Sequence, residues 1–364
     1  MTEETSNIEF IEHIIKRKQP FALFRVPGEK VPRFLTQTNG GVRLMNDIEE
    51  LNGQKGFVIA PFKVIEECPV VLIQPDVIQD AFLLPKMEGR EEKKADFVSE
   101  ESIVGGRFKD YSNCFSTFIE ALRNKTFDKL VLSRSLTLDK SASFSPVDAF
   151  QEACRRYIHS YVYLCYTPQT GFWIGGTPEI LLAGADGEWH TVALAGTQPL
   201  QNGKLPLEWD EKNRKEQDYV VSYIRSQLCS LGVVPAEKGP YSAYAGTLSH
   251  LKTDFYFSLN RHTGLGDILK LLHPTPAVCG LPKDEAYRFI LAKEGYDRKY
   301  YSGFIGWLDP DGRTELYVNL RCMNIEENHL TLYAGGGILA SSQLEEEWQE
   351  TENKLQTMQR LTKS

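Results

Sequence analysis

Two apolar runs, YVYLCYT and GFWIGG, follow one another with only a short turn between them, and that proximity sharply limits the folds open to this chain. Strands joined by so short a link pair antiparallel, because a parallel crossover needs a dozen or more residues, usually a helix. More strand-like runs follow at EILLAGAD, EWHTVALAG, YSGFIGWLD, TELYVNLRCMNI and HLTLYAGGG. Between and around them, apolar residues recurring with helical spacing mark CFSTFIEALRN, PVDAFQEACRRYI, a long helix from about Leu207 to Leu231, and a final helix around Leu344 to Met358. Upstream lie a short helix around Ile8 to Ile15, strand-like PFALFRV, GFVIAPF and CPVVLIQP, and a charged, apolar-poor stretch from Gly89 to Glu101 that reads as an exposed connection. This order predicts an α+β protein with large, mostly antiparallel sheets, not a doubly wound parallel one.

Composition narrows the partners. A chain of 364 residues, 41% hydrophobic and 25% charged, can bury a sizeable core. Its net charge of −8 and pI near 5.5 argue against nucleic-acid or anionic-membrane surfaces, so an anionic ligand would depend on local cations. Seven scattered cysteines without a CxxC pair read as reduced thiols. The first residues lack the basic-then-apolar order of a signal peptide, and no apolar run of about 18 residues occurs. A cytoplasmic protein is expected.

Several residues could carry chemistry. On the last helix, Leu344, Trp348, Thr351, Leu355 and Met358 share one stripe, while Glu347, Glu350 and Lys354 share a narrow arc at its edge. Two carboxylates and an ammonium there suit a divalent cation beside an anion; an ordinary solvated face with a Glu350–Lys354 pair would look the same. Lys129 opens the strand KLVLSRS on the face of Val131 and Ser133, where desolvation would make a lysine a general base, or it snorkels to water. Glu179 follows a Gly-Gly-Thr-Pro turn and precedes three apolar residues, so burial would keep a proton on it for general-acid work; the other reading is a cap on backbone amides. Glu216 lies on the apolar side of a helix with Val220, Tyr223 and Gln227, which calls for a metal or a lysine partner. Arg321 shares a polar strand face with Tyr317 and Asn319, suited to bidentate capture of a carboxylate. Gly335, Gly336 and Gly337 permit close backbone approach or form a tight turn, and His250 is a possible donor or a structural histidine. No phosphate loop, HExxH or Ser/His/Asp pattern is present.

In this order, KLVLSR, GGTPEILL, ALAGT, EKNRKEQ, GTLSHL, HPTPAVCG, YDRKYYSGFIGW, LRC, YAGGGI and EEWQET resemble the chorismate-utilising enzymes, most closely the isochorismate synthases. The similarity runs from about Phe115 to Met358. The resemblance implies two layered antiparallel sheets flanked by helices and a site in the cleft between halves. Residues 1–364 then form one chorismate-binding domain, with 1–100 as its variable N-terminal portion and 111–360 as its catalytic core. Lys129 would activate water for attack at C2 of chorismate and Glu179 would protonate the departing C4 hydroxyl. Glu216 and Glu350, helped by Glu347, would hold Mg²⁺ against the ring carboxylate. Arg321, Lys354 and amides of Gly335 to Gly337 would take the enolpyruvyl carboxylate, with His250 and the Ala195-Gly196-Thr197 segment lining the site. Ala195 stands where aminodeoxychorismate synthases carry a nucleophilic lysine, which leaves water or ammonia as nucleophile. The resemblance further implies no amidotransferase subunit and a monomer. Asn213 and Gln217 replace the acidic residue and histidine common beside the helix glutamate, for which weaker magnesium binding is expected. Salicylate or anthranilate synthesis, and a non-catalytic chorismate-binding protein, are the alternative functions.

Overall fold

The computed structural model describes residues 3–81, 107–245, 248–259 and 263–363. The chain opens with α1 (Glu3–Lys16), β1 (Phe21–Arg25), β2 (Arg33–Thr36), β3 (Arg43–Met45), β4 (Gly56–Ala60), β5 (Val70–Ile73) and β6 (Val77–Asp80). It continues through α2 (Phe108–Arg123), β7 (Lys129–Asp139), α3 (Pro146–Arg156), β8 (Tyr161–Thr167), β9 (Gly171–Thr177), β10 (Ile180–Ala185), β11 (Glu188–Pro199) and α4 (Glu211–Ser230). Next come β12 (Ala236–Ala245), β13 (Leu248–Ser258), α5 (Leu265–Leu272), β14 (Gly280–Leu281), α6 (Lys283–Lys293) and β15 (Phe304–Leu308). The last elements are β16 (Thr314–Val318), β17 (Cys322–Ile325), β18 (His329–Ile338) and α7 (Leu344–Gln359).

Among the described residues the strands form two nine-stranded sheets, ordered β14-β7-β18-β17-β9-β8-β1-β2-β6 and β12-β13-β11-β10-β16-β15-β4-β5-β3. Every strand pairing among the described residues is antiparallel, as the hairpin spacing required. Strand β8 shows why its sequence is apolar throughout rather than alternating. Tyr161, Tyr163 and Cys165 point into a cluster shared with Phe57, Ile59, Ile305 and Tyr317 of the second sheet, and Tyr161 stacks on Tyr317 with ring centroids 4.4 Å apart. Val162, Leu164 and Tyr166 point the other way, onto a cluster that includes Ile11 of α1, Phe150 of α3 and Leu355 of α7. Both faces are buried, so period-two sorting divides two cores instead of core from water. On the outer face of the second sheet, Val220, Ile224 and Leu228 of α4 pack with Ile268 and Leu269 of α5.

The N-terminal strands continue the same sheets: β1 pairs with β8, and β4 with β15. Two expectations change in detail, and a third, left open between close backbone approach and a tight turn, is decided. TELYVNLRCMNI is two strands in different sheets, because the chain turns through Arg321 at φ 46° and passes from β16 to β17. The long helix starts at Glu211, not Leu207: Asp210 caps it by accepting from the Asn213 N–H at 2.8 Å, and Leu207 is left exposed. The glycine triplet is the interior of β18, paired with β7, rather than a turn. The connection expected over Gly89 to Glu101 lies outside the described residues. No helix among the described residues is long and apolar enough to cross a membrane.

Candidate active site

The chain changes sheets at two adjoining points, and each carries a charged residue. After β9, Pro178 and Glu179 lead to β10 in the other sheet; after β16, Asn319 to Arg321 lead back to β17. Hydrogen bonds tie the crossovers together: the Thr177 hydroxyl donates to Val318 O (2.7 Å), Val318 N–H to Glu179 O (2.9 Å) and Gly176 N–H to Arg321 O (3.0 Å). Glu179 and Arg321 thus face one cleft, lined also by Ala195, Gly196, Thr197, Glu216, His250, Lys354 and Gly335 to Gly337.

Glu179 is only 2% exposed, and its Oε1 accepts a long 3.4 Å bond from Thr275. Burial pushes its carboxyl up to about 8, against the opposing pull of Lys129, Thr275 and Lys354, so it holds its proton at neutral pH. Arg321 is buried as well, and burial lowers it to about 10, leaving the guanidinium charged. It donates to Thr357 Oγ1 (3.2 Å) and meets His250 Nε2 at 3.1 Å, and among the described residues no carboxylate forms an ion pair with it. A buried guanidinium without a counter-ion among the described residues has the charge and geometry to accept an anion. Because arginine only donates, His250 Nε2 must accept, which places the imidazole proton on Nδ1, 2.5 Å from Gly196 O. Burial, Arg321 and Lys354 hold this histidine down to about 3, hence neutral. Its donor is directed at Gly196, so it orients Arg321 and the Ala195-Gly196-Thr197 segment.

Strand β18 brings the carboxylates together. A Cβ on Gly337 would sit 2.0 Å from Glu216 Oε1 and 2.9 Å from Lys129 Cε; one on Gly336 would sit 3.1 Å from Glu350 Oε1 and 3.4 Å from Glu347 Oε2. Only glycine leaves room for these groups to lie on the backbone. Each carboxylate has its own lysine. Lys129, fully buried, lies 3.0 Å from Glu216 Oε1, within ion-pair distance but off the hydrogen-bond direction. Lys354 bonds Glu350 (2.6 Å) and Gly335 O (2.8 Å), and Lys212 bonds Glu347 Oε1. Burial and the Glu350 charge push Glu347 up to about 7, while at Glu350 burial is outweighed by Lys354 and Lys212, which hold it below the usual carboxylate range.

These residues fit a hard divalent cation. Glu347 Oε2 is buried without a hydrogen-bond partner, the donors are carboxylate oxygens, and the glycine strand leaves open the space a Cβ would fill. Among the described residues no three acidic, histidine or cysteine side chains already converge as a metal cluster, since the glutamates turn toward their lysines.

Asn213 has another use. Its Oδ1 accepts the Thr197 N–H (2.9 Å) and its Nδ2 donates to Asp210 Oδ2 (2.6 Å), while Thr197 Oγ1 donates to Glu350 Oε1 (3.2 Å). An acidic residue would set a second carboxylate against Asp210. Asn213→Asp is therefore expected to lower stability by about 1–2 kcal/mol, read as a lower urea midpoint; an unchanged midpoint would show that the bridge contributes nothing.

Reasoning from sequence passed over three residues at this site. Lys212 lies four residues before Glu216 on the same helix face, a spacing that would have flagged it. Thr275, in HPTPAVCG, and Tyr301, in YDRKYYSGFIGW, sit inside motifs to which no individual role was attached.

The family model for chorismate binding enzymes matches residues 68–363. The isochorismate synthase DhbC of Bacillus subtilis is 30% identical over 269 residues, 69% of this chain and 67% of that protein. The isochorismate synthase MenF of Escherichia coli is 34% identical over 241 residues, 62% of this chain and 54% of that protein, so the chain aligns with little more than half its length. Among solved structures, a putative 2,3-dihydroxybenzoate-specific isochorismate synthase, DhbC from Bacillus anthracis, superposes with a TM-score of 0.76 at 23% identity, over 97% of this chain and 99% of that one.

Proposed function

Since the chain belongs to the chorismate-binding enzyme family, we propose that it is an isochorismate synthase, an isomerase that adds water at C2 of chorismate and expels the C4 hydroxyl. The observation that carries this reading is Glu179: a buried carboxyl raised to about 8 is a proton donor at neutral pH, which departure of a hydroxyl requires. In the proposed mechanism Lys129 acts as the neutral amine, its ion pair with Glu216 given up: it takes a proton from the attacking water, the water oxygen bonds to C2, the ring double bonds shift, and the C4 oxygen leaves with the Glu179 proton. Arg321, which has no counter-ion among the described residues, binds the enolpyruvyl carboxylate with Lys354 and backbone amides of the 335–337 strand. His250 and Thr197 fix that pocket. Ala195 presents a methyl group to the cleft, so no side-chain nucleophile competes with water there. Glu216, Glu350 and Glu347 would hold Mg²⁺, which when bound supplies positive charge against the ring carboxylate. The product suits menaquinone or siderophore synthesis, the pathways of the relatives' kind.

The test incubates purified protein with chorismate and Mg²⁺, with and without EDTA, resolves products by chromatography and assays pyruvate. Isochorismate without pyruvate, lost on chelation, is expected. Salicylate or anthranilate with stoichiometric pyruvate would replace this reading with a lyase-type synthase, and binding without consumption would replace it with a non-catalytic chorismate-binding protein.

A further inference from the structure

Lys212 takes no part in the mechanism above, yet it is the cation that holds the buried side chain of Glu347, beside a hydrogen bond from the Ser342 hydroxyl. The two oxygens of that carboxylate differ. Oε1 is held by the lysine; Oε2 has no hydrogen-bond partner and faces Gly336 beside Glu350 Oε1. Two carboxylates so placed repel unless a positive charge stands between or beside them. Of the three lysines at the site, Lys129 is fully enclosed and Lys354 is 13% exposed and tied also to Gly335 O, whereas Lys212 is 25% exposed and reaches in from the first turn of α4. Its flexible stem therefore has a way out to solvent while its ammonium points inward.

We propose that Lys212 is a tethered countercation: it neutralises Glu347 when no metal is present, and it competes with the divalent ion for that carboxylate, so that the site binds the ion more weakly than its three glutamates would alone. The inference rests on reading Glu216, Glu347 and Glu350 as the cation site. Lys212 is a positioning residue in this account, since it acts on the ion through Glu347. The lysine holds the carboxylate in place without the ion, and the ion gains Glu347 fully only as the ammonium withdraws. Removing the ammonium removes both the competitor and a repelling charge.

The experiment titrates Mg²⁺ alone into the full chain by calorimetry, with Mn²⁺ and its electron paramagnetic resonance signal as a second probe. Lys212→Met is expected to tighten Mg²⁺ binding about tenfold and to lower the melting temperature measured in EDTA. Lys212→Arg, which keeps the charge, should return both values toward the parent. In a Glu347→Gln background Lys212→Met should tighten binding far less than in the parent, because the contested carboxylate is gone and only the repulsion between ammonium and ion is left to remove. Equal Mg²⁺ affinity in the parent and Lys212→Met, with matching circular dichroism, would overturn the inference while leaving the metal site standing. A parent chain that binds neither ion would overturn the metal site itself and the inference with it.

Discussion

A chain carrying Lys129→Ala is expected to fold and to leave chorismate unconverted. Lys129 starts β7 with no exposed surface, and its amine meets Glu216 at 3.0 Å directly behind Gly337. Loss of a positioned general base lowers turnover by about 10²- to 10⁴-fold, so product should fall at least a hundredfold under saturating substrate. The same change leaves Glu216, 8% exposed, without its lysine, and stability should drop by about 3 kcal/mol, seen as a lower denaturation midpoint. Circular dichroism at 25 °C should still report a folded protein. Turnover at the parent rate would remove Lys129 from the mechanism.

Glu179→Gln should lower activity and raise stability together. The amide keeps the shape of the side chain but has no proton to give, so turnover is expected to fall about a hundredfold or more. The stability effect follows from the raised carboxyl. Native Glu179 keeps its proton up to about pH 8, whereas in the unfolded chain it releases it near 4.5. Between those values the native state binds more protons than the unfolded one, so the contribution of Glu179 is fully present below about pH 4.5 and is lost as pH rises through about 8. Glutamine does not ionise and suffers no such loss. The variant should melt higher than the parent at pH 9 and much closer to it at pH 5. The parent's kcat should in turn decline above about pH 8 as the acid is deprotonated. A variant less stable than the parent at pH 9, or a parent rate flat across pH 8, would contradict the assignment of Glu179 as a buried proton donor.

Much of the fold was legible because the clues were local. A short turn between YVYLCYT and GFWIGG compels a hairpin, and β8 pairs with β9 in that way. The stripe of Thr351, Leu355 and Met358 forecast the buried face of α7, and with it that Glu347, Glu350 and Lys354 would lie at the edge of a core. The strands β12 and β13 escaped notice; for β12 the reason is its place at the sheet edge, with Glu237, Lys238 and Pro240 exposed, since edge strands do not carry the apolar pattern of central ones.

The site was legible as a set of residue types and motifs, but not as contacts. Glu216 was read as needing a cation, and the lysines nearest in sequence were the plain candidates; its partner is Lys129, on β7 of the first sheet, whereas α4 packs on β11 and β13 of the second. Arg321 was read as part of one continuous strand, yet its place beside Glu179 depends on the chain leaving one sheet for the other at that residue. Periodicity in the sequence determined which face of each strand and helix is buried, because that depends on side-chain spacing of two or 3.6 residues along one element. Only the tertiary structure decided which buried charge meets which, because ion pairs such as Lys129–Glu216 and Lys212–Glu347 join residues whose separation is set by sheet order and layer packing, and no local pattern in the chain records it.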